Sequence, residues 1–180
     1  MGGPEAARMV TTRHTAQLSA VELTEIRAFL DAAFGDFSDQ DWEHGLGGQH
    51  ALVREDGVLV AHGSLVMRRL LVGGRSLRTG YVEGVAVRPD RRRRGYGAEV
   101  MAALEALAPV YDVLALSASD EGIPLYEARG WRLWRGPTSV LGPSGPEPTP
   151  DDDGSIYVLG GEGLDQDAPI ACDHRAGDVW

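Results

Sequence analysis

The sequence predicts an α/β fold in which helices flank a mixed β-sheet. Strand-like and helix-like patterns alternate along the chain in the order β-α-α-β-β-β-α-β-α-β-β. The short run 113–116 is wholly apolar, which is typical of a central parallel strand. A length of 180 residues suits one domain with a sizeable core. We therefore expect a single domain over 1–180, with a disordered start at 1–7.

The N-terminal part predicts a short strand and two helices. The strand is predicted over residues 7–12. Ser19 and Glu22 form a capping box, and apolar residues at helical spacing follow it, so a helix is predicted over 20–34. Ser38 begins a similar pattern, and the glycines after it end a short second helix.

The middle of the chain predicts three strands and a helix. Residues 50–54 and 58–67 flank a Glu-Asp-Gly turn, a pattern that indicates a β-hairpin. Residues 77–87 form the third strand, which leads through an arginine-rich turn into an amphipathic helix predicted over 96–108. Pro109 ends that helix.

The C-terminal part alternates short elements with irregular segments. The predicted elements are a strand, a helix and two strands, at 113–116, 123–129, 131–134 and 155–159. Residues 136–150 are rich in glycine and proline, so they are predicted to form a long loop. Residues 160–180 have little periodicity, and no element is predicted there.

The charges place a basic spot on an acidic molecule. The net charge is −10 and the pI is about 4.9, which argues against nucleic acid or an anionic membrane as a partner. No apolar run is long enough to span a membrane and the N-terminus lacks a signal-peptide pattern, so we expect a cytoplasmic protein. An acidic surface suits a cationic substrate, although solubility alone can also explain it.

The sequence predicts neither a disulfide nor a metal site. Cys172 is the single cysteine, and a small buried apolar residue is its favoured interpretation. The histidines His44, His50 and His62 lack metal-ligand spacing, so we expect them to be structural or hydrogen-bonding residues. The acidic run at 151–154 lacks the alternating ligands of a calcium loop.

The arginine-rich turn predicts an anion site. Backbone N–H groups of a glycine-rich turn and the dipole of the following helix favour bound phosphate. The P-loop pattern is absent, and Val100 occupies the third glycine position of a dinucleotide fingerprint. What remains is Arg92-x-x-Gly95-x-Gly97 after an apolar strand end. A solvated basic turn is the alternative interpretation.

This pattern resembles the acetyl-CoA loop of the Gcn5-related N-acetyltransferases (GNAT superfamily), Arg/Gln-x-x-Gly-x-Gly/Ala. The predicted element order matches the GNAT fold, a central mixed sheet flanked by helices. The resemblance implies acetyl-CoA as co-substrate and no metal. It implies CoA contacts at Val85, Ala86, Val87, Arg92, Arg93, Arg94, Gly95, Tyr96 and Gly97.

Two side chains are candidates for proton transfer during acetylation of an amine. Glu83 lies just before Val85, whose backbone N–H can stabilise charge developing on a thioester oxygen, so Glu83 is the candidate base. Tyr126 lies in a Leu-Tyr-x-x-x-Gly-Trp run that resembles the GNAT motif of the general acid. Each has an alternative interpretation. Glu83 would then only pair with a nearby arginine, and Tyr126 would be an amphipathic residue of the core. Cys172 lacks a histidine-containing motif, so an acyl-enzyme is not expected.

Longer runs narrow the resemblance to the aminoglycoside 2′-N-acetyltransferases. These runs include 41–44, 80–87, 136–141, 150–154 and a terminal Arg-Ala-Gly-Asp-Val-Trp. The resemblance implies direct, sequential acetyl transfer to the 2′-amine of drugs such as gentamicin, tobramycin and kanamycin B, and a homodimer. It implies substrate contacts at Asp36, Asp41, Glu83, Gly84, Ser117, Asp152, Asp178 and the carboxylate of Trp180.

Carboxylates suit this substrate class because aminoglycosides are polycations. Two other functions stay open at this point. One is acetylation of a cellular amine or polyamine by a GNAT enzyme. The other is a non-catalytic module that binds acetyl-CoA or a polycation.

Overall fold

A computed structural model describes residues 7–180; the start of the segment predicted to be disordered, residues 1–6, lies outside the described residues. The chain forms two compact units. The first runs to Val66 and includes Glu83–Ala106, and the second comprises Met67–Val82 and Leu107–Trp180. Strands β3 (Val58–Val72) and β4 (Arg75–Val87) contribute to both units. The single-domain organisation stays a prediction.

The first unit contains three antiparallel strands, the end of β4 and three helices. Strand β2 pairs with β1 on one side and with β3 on the other, and Leu52 lies opposite His62 in the second pairing. The bounds of the elements not yet given are β1 Arg8–His14, α1 Ala20–Phe34, α2 Asp39–His44, β2 Gln49–Glu55 and α3 Tyr96–Glu105.

Helix α1 has the bounds that the sequence predicts. Ser19 Oγ accepts a hydrogen bond from Glu22 N at 3.2 Å, and Glu22 Oε2 accepts one from Ser19 N at 2.8 Å. This reciprocal cap satisfies backbone donors that would otherwise lack partners at the helix start. Ile26 and Leu30 are buried in the core of this unit. Gly35, with φ 79°, follows the helix.

Helix α3 follows the arginine-rich turn after β4, as predicted. It packs closely on β3, because a Cβ added at Gly63 would lie 2.6 Å from Val100 Cγ1. The helix ends at Glu105 rather than at 108, so the predicted end was wrong. A separate 3-10 turn, Ala108–Val110, follows, since Pro109 cannot donate the backbone bond that continues an α-helix.

The second unit is built on a mixed sheet with the strand order β6-β9-β5-β4-β3-β10-β7-β8. Strand β5 is parallel to β4 and antiparallel to β9, so the central position predicted for 113–116 is confirmed. The remaining bounds are β5 Val113–Ser117, α4 Ile123–Ala128, β6 Arg132–Leu133, β7 Thr138–Gly142, β8 Gly145–Pro148, β9 Ile156–Gly160 and β10 Ile170–Cys172.

Two segments predicted as irregular contain strands. The loop predicted at 136–150 includes the hairpin β7–β8, whose turn ends at Gly145 with φ 115°. The prolines of this segment interrupt the alternating pattern that would have predicted a strand. Proline is nevertheless tolerated in β8, because this strand lies at the end of the strand order. Strand β10, Ile170–Cys172, lies between β3 and β7 and is too short for periodicity to reveal. In the described part of the chain no helix is long and apolar enough to cross a membrane.

Candidate functional site

The arginine-rich turn of the first unit has the backbone of an anion site. A 3-10 turn, Pro89–Arg91, leads into two left-handed residues, Arg93 with φ 60° and Gly95 with φ 87°. Gly95 is the N-cap residue of α3, so the free N–H groups of a ten-residue helix follow it directly. Left-handed residues in a tight turn before a helix direct backbone N–H groups toward one concavity, which suits a phosphate group.

The arginines of this turn divide into two classes that the sequence could not separate. Arg91 Nε donates to Glu55 Oε2 at 2.5 Å, and Arg88 pairs with Asp90 at 2.6 Å. These two side chains fix the turn. Arg92 and Arg93 are exposed, and within residues 7–180 no acidic side chain pairs with them. They are therefore available to an anionic ligand.

Tyr96 belongs to the support of the turn. Its side chain is buried, and its hydroxyl donates to Glu55 Oε1 at 2.6 Å. The Arg8 guanidinium lies 4.1 Å from the centre of the ring and pairs with Glu99 at 2.5 Å. The hydrogen bond to Glu55 is the main cause that raises the pKa of Tyr96. A ligand at the turn can therefore meet the backbone of Tyr96 but not its hydroxyl.

The end of β4 holds the candidate base and the candidate N–H donor. Glu83 and Val85 are half-buried, and Gly84 between them has φ 57°, a conformation that favours glycine. The backbone of this segment is held from β3. Ser64 Oγ donates to the Glu83 carbonyl at 3.3 Å, and the Gly84 carbonyl is hydrogen-bonded to His62 at 2.8 Å.

The two acidic candidates of the first helices have different surroundings. Asp41 Oδ2 accepts hydrogen bonds from the backbone N and the Oγ of Ser38, each at 2.8 Å, so this carboxylate also caps α2. Asp36 is exposed, and within residues 7–180 its carboxylate has no hydrogen-bond partner. Asp39, between them in sequence, pairs with Arg27 at 2.9 Å.

Tyr126, in α4 of the second unit, is buried but not hydrogen-bonded through its hydroxyl within residues 7–180. Its ring lies against Gly122, where an added Cβ would come within 2.7 Å of Tyr126 Cε2. It also faces Trp131, with 6.2 Å between ring centres. Burial raises the pKa of Tyr126 to about 12, so the phenol keeps its proton at neutral pH. A protonated, unpartnered phenol suits a proton donor.

The aspartates that follow β8, residues 151–153, also differ in their roles. Asp153 Oδ1 accepts hydrogen bonds from the backbone N and the Oγ1 of Thr138, each at 2.8 Å, so it is structural. Asp152 is partly buried, and burial and the nearby carboxylate of Asp178 raise its pKa. Within residues 7–180 no cationic side chain pairs with the carboxylate of Asp152 or with that of Asp178. Ser117 lies near this run, since its Oγ donates to Ser155 Oγ at 3.3 Å.

The C-terminal residues are held by long-range contacts that sequence reasoning missed. Trp180 is buried, and its indole Nε1 donates to Thr149 Oγ1 at 2.9 Å. Arg175 Nη2 donates to the Trp180 O atom at 2.9 Å, and Arg68 Nη2 donates to the Val179 carbonyl at 2.7 Å. Arg68 lies more than a hundred residues before the tail, so no local pattern could have shown this role.

Two buried histidines form a hydrogen-bonded pair rather than a metal site. His50 Nδ1 and His62 Nε2 are 3.0 Å apart, and burial lowers the pKa of His50 to about 4 and that of His62 to about 3. No group of metal-ligating side chains occurs in the described part of the chain. Cys172 is fully buried, and its Sγ lies 3.3 Å from the Val179 carbonyl. Its predicted burial is confirmed.

Comparisons with known proteins agree with these features. A family model described as an acetyltransferase (GNAT) domain matches residues 14–134. The aminoglycoside 2′-N-acetyltransferase of Mycolicibacterium fortuitum is 49% identical over 181 residues, which cover 97% of this chain and 91% of the relative.

Solved structures share the fold at low sequence identity. The GNAT family N-acetyltransferase YhbS of Escherichia coli, in complex with CoA, has a TM-score of 0.66 at 16% identity, covering 98% of this chain and 97% of its own. Escherichia coli ElaA has a TM-score of 0.58 at 16% identity, covering 84% of this chain and 99% of its own. The predicted fold class is confirmed, and the chain belongs to the GNAT acetyltransferases and, within them, to the family of the aminoglycoside 2′-N-acetyltransferases.

Proposed function

We propose that the chain transfers the acetyl group of acetyl-CoA to the 2′-amine of aminoglycoside antibiotics and thereby confers resistance to them. One observation in particular supports a polycationic acceptor substrate. Burial and the nearby carboxylate of Asp178 raise the pKa of Asp152, since like charges repel, and neither carboxylate has a cationic partner within residues 7–180. A ligand with several ammonium groups relieves this repulsion. The M. fortuitum relative supports aminoglycosides as that ligand.

The turn before α3 has the properties that the phosphates of CoA require. Left-handed backbone at Arg93 and Gly95 exposes N–H groups, and the side chains of Arg92 and Arg93 are without acidic partners within residues 7–180. Guanidinium groups form charge-assisted bonds with phosphate. Acetyl-CoA supplies the activated thioester; the chain supplies binding, orientation and proton transfer.

Each proposed catalytic group acts at one atom. Glu83 takes the proton of the acceptor ammonium, directly or through a water molecule, since an ammonium nitrogen cannot attack a carbonyl. The Val85 N–H stabilises negative charge that develops on the thioester oxygen. Tyr126 donates its proton to the departing sulfur. Burial raises the pKa of Cys172 to about 11, so its thiol does not compete as a nucleophile at neutral pH.

Thiol release from acetyl-CoA with two drugs tests this function. Tobramycin has a free 2′-amine, whereas amikacin has a 2′-hydroxyl. We expect thiol release with tobramycin and none with amikacin. Release with both drugs would place the acetylated amine elsewhere on the molecule, and release with neither would contradict the proposal.

A third assay, with spermidine as the acceptor, distinguishes an aminoglycoside substrate from a cellular polyamine. A kcat/KM for spermidine equal to that for tobramycin would favour the polyamine acetyltransferase left open above. The homodimer stays a prediction. Light scattering coupled to size-exclusion chromatography would test it by measuring the molar mass of the protein in solution.

A further inference from the structure

A row of hydrogen bonds crosses three strands of the first unit and ends at the candidate N–H donor. It begins at Thr15, whose Oγ1 lies 2.8 Å from His50 Nε2. His50 Nδ1 lies 3.0 Å from His62 Nε2, and His62 Nδ1 lies 2.8 Å from the carbonyl oxygen of Gly84. Each histidine is only 1% exposed. The mechanism given above uses neither of them.

The direction of every bond in this row follows from its last member. A carbonyl oxygen only accepts, so His62 must carry its proton on Nδ1. Burial keeps both imidazoles neutral, with one N–H each. His62 Nε2 is therefore an acceptor, and His50 must donate from its own Nδ1. His50 Nε2 then accepts from the Thr15 hydroxyl at 2.8 Å, a shorter contact than the 3.2 Å from that hydroxyl to the Gly48 carbonyl. The hydroxyl oxygen in turn accepts from the Gly47 N–H at 2.9 Å.

The row ends on a peptide group with two functions. In a trans peptide the carbonyl and the N–H point in opposite directions, and residues 7–180 contain no cis peptide bond. A bond that holds the Gly84 carbonyl therefore also sets where the Val85 N–H points. Such a bond withdraws electron density through the amide and makes its N–H a stronger donor. Gly84, with φ 57°, has no side chain to restrain this peptide itself.

We infer that His62, aligned by His50, is a positioning residue that orients and polarises the Gly84–Val85 peptide so that the Val85 N–H stabilises charge on the thioester oxygen of acetyl-CoA. The inference rests on the proposed acetyl transfer. The role is limited to orienting and polarising this peptide, since the histidines neither gain nor lose a proton during the reaction.

The protonated ring nitrogen can be measured on the unmodified protein by ¹⁵N NMR of its histidine side chains. We expect both His50 and His62 to carry the proton on Nδ1, although neutral imidazole in water prefers Nε2. The exposed His174 is the internal reference and should show the water preference. A proton on Nε2 of His62 would overturn the inference, because Nδ1 could then not donate to Gly84.

Two substitutions at His62 test the effect on catalysis. Asparagine places an N–H near the position of Nδ1 and keeps the donor, whereas leucine removes it. We expect His62→Leu to lower kcat about tenfold, with the KM for acetyl-CoA and tobramycin changed less than about twofold. His62→Asn should recover kcat to within about threefold of the unmodified protein. His174→Leu, at the surface, controls for the loss of an imidazole.

The outcomes separate the positioning role from other failures. Equal losses of kcat in the leucine and asparagine variants, both folded by their ¹H–¹⁵N spectra, would contradict the role. If the leucine variant does not fold, the protonated nitrogen in the unmodified protein decides the question. Absence of acetyl transfer by the unmodified protein would contradict the proposed function instead, while the NMR result would stand.

Discussion

The indole Nε1 of the C-terminal Trp180 donates a hydrogen bond of 2.9 Å to Thr149 Oγ1. Thr149 Oγ1 donates in turn to Thr138 Oγ1 at 2.9 Å, so the last residue of the chain is tied to the hairpin β7–β8. The 3-10 turn Pro150–Asp152, which carries the candidate acceptor contact Asp152, begins directly after Thr149. Two candidate contacts far apart in sequence therefore share one anchoring side chain.

Replacing Thr149 should loosen that anchor. Thr149→Val removes the acceptor of a buried indole N–H, and an unsatisfied buried donor costs about 1–3 kcal/mol. We expect a lower melting temperature and a KM for tobramycin raised severalfold, with the KM for acetyl-CoA nearly unchanged. Thr149→Ser keeps the hydroxyl and should restore both. An equal rise in the two KM values would indicate general misfolding.

Neighbouring aspartates should respond differently to the same change. Asp152→Asn removes a carboxylate without a cationic partner, so the KM for tobramycin should rise about tenfold and its salt dependence should weaken. Asp153→Asn keeps the Oδ1 acceptor but removes its charge, which weakens the bonds from Thr138 and should lower the melting temperature instead. Kinetics at several salt concentrations and thermal unfolding separate the two effects. A larger KM effect in the Asp153 variant would reverse the assignment.

Removing the hydroxyl of Tyr126 should affect turnover rather than binding. Tyr126→Phe keeps the ring that packs on Trp131, so kcat should fall about 100-fold while the KM for acetyl-CoA changes little. Tyr111→Phe is the matched control, because it removes the phenol hydroxyl of a residue between the 3-10 turn Ala108–Val110 and β5 to which no role is assigned. Because the pKa of Tyr126 is raised to about 12, its titration should not limit kcat below pH 10. Unchanged turnover would remove Tyr126 as the acid.

Stability should decline as the pH falls below 6.5 because of the buried histidines. The folded-state pKa is about 4 for His50 and about 3 for His62, below the ordinary value of 6.5. In this window the unfolded chain binds protons that the folded protein does not, so the free energy of unfolding decreases with falling pH. Each histidine contributes a slope of up to about 1.4 kcal/mol per pH unit.

Denaturant unfolding between pH 7 and pH 5 measures this slope above the range in which carboxylates with a lowered pKa titrate. Glu22, Glu25 and Glu55 have pKa values lowered from 4.5, so their contribution is lost only at lower pH. His62→Asn should reduce the slope, because it removes one of the two histidines whose pKa burial lowers. A flat profile for the unmodified protein would show that the histidine pair titrates normally.

Local signals predicted the elements that local bonds form. The helix predicted over 20–34 was found as Ala20–Phe34, because the reciprocal bonds of Ser19 and Glu22 lie within four residues. The same holds for the arginine-rich turn before α3, where Gly95 with φ 87° is required by the local backbone. Prediction failed at the hairpin β7–β8 and at β10, where pairing with distant strands determines the structure.

The sequence by itself determined the fold class, because capping boxes, apolar spacing and glycine turns act over a few residues. It determined the acetyltransferase family through motifs that resemble that family, and it supplied the residue types of the proposed site. Tertiary structure decided which members of each set are free. It pairs Arg91 with Glu55 and leaves Arg92 exposed, bonds Asp153 to Thr138 and leaves Asp152 without a cationic partner, and joins His62 to Gly84. These distinctions depend on partners far away in the chain, which no local pattern encodes.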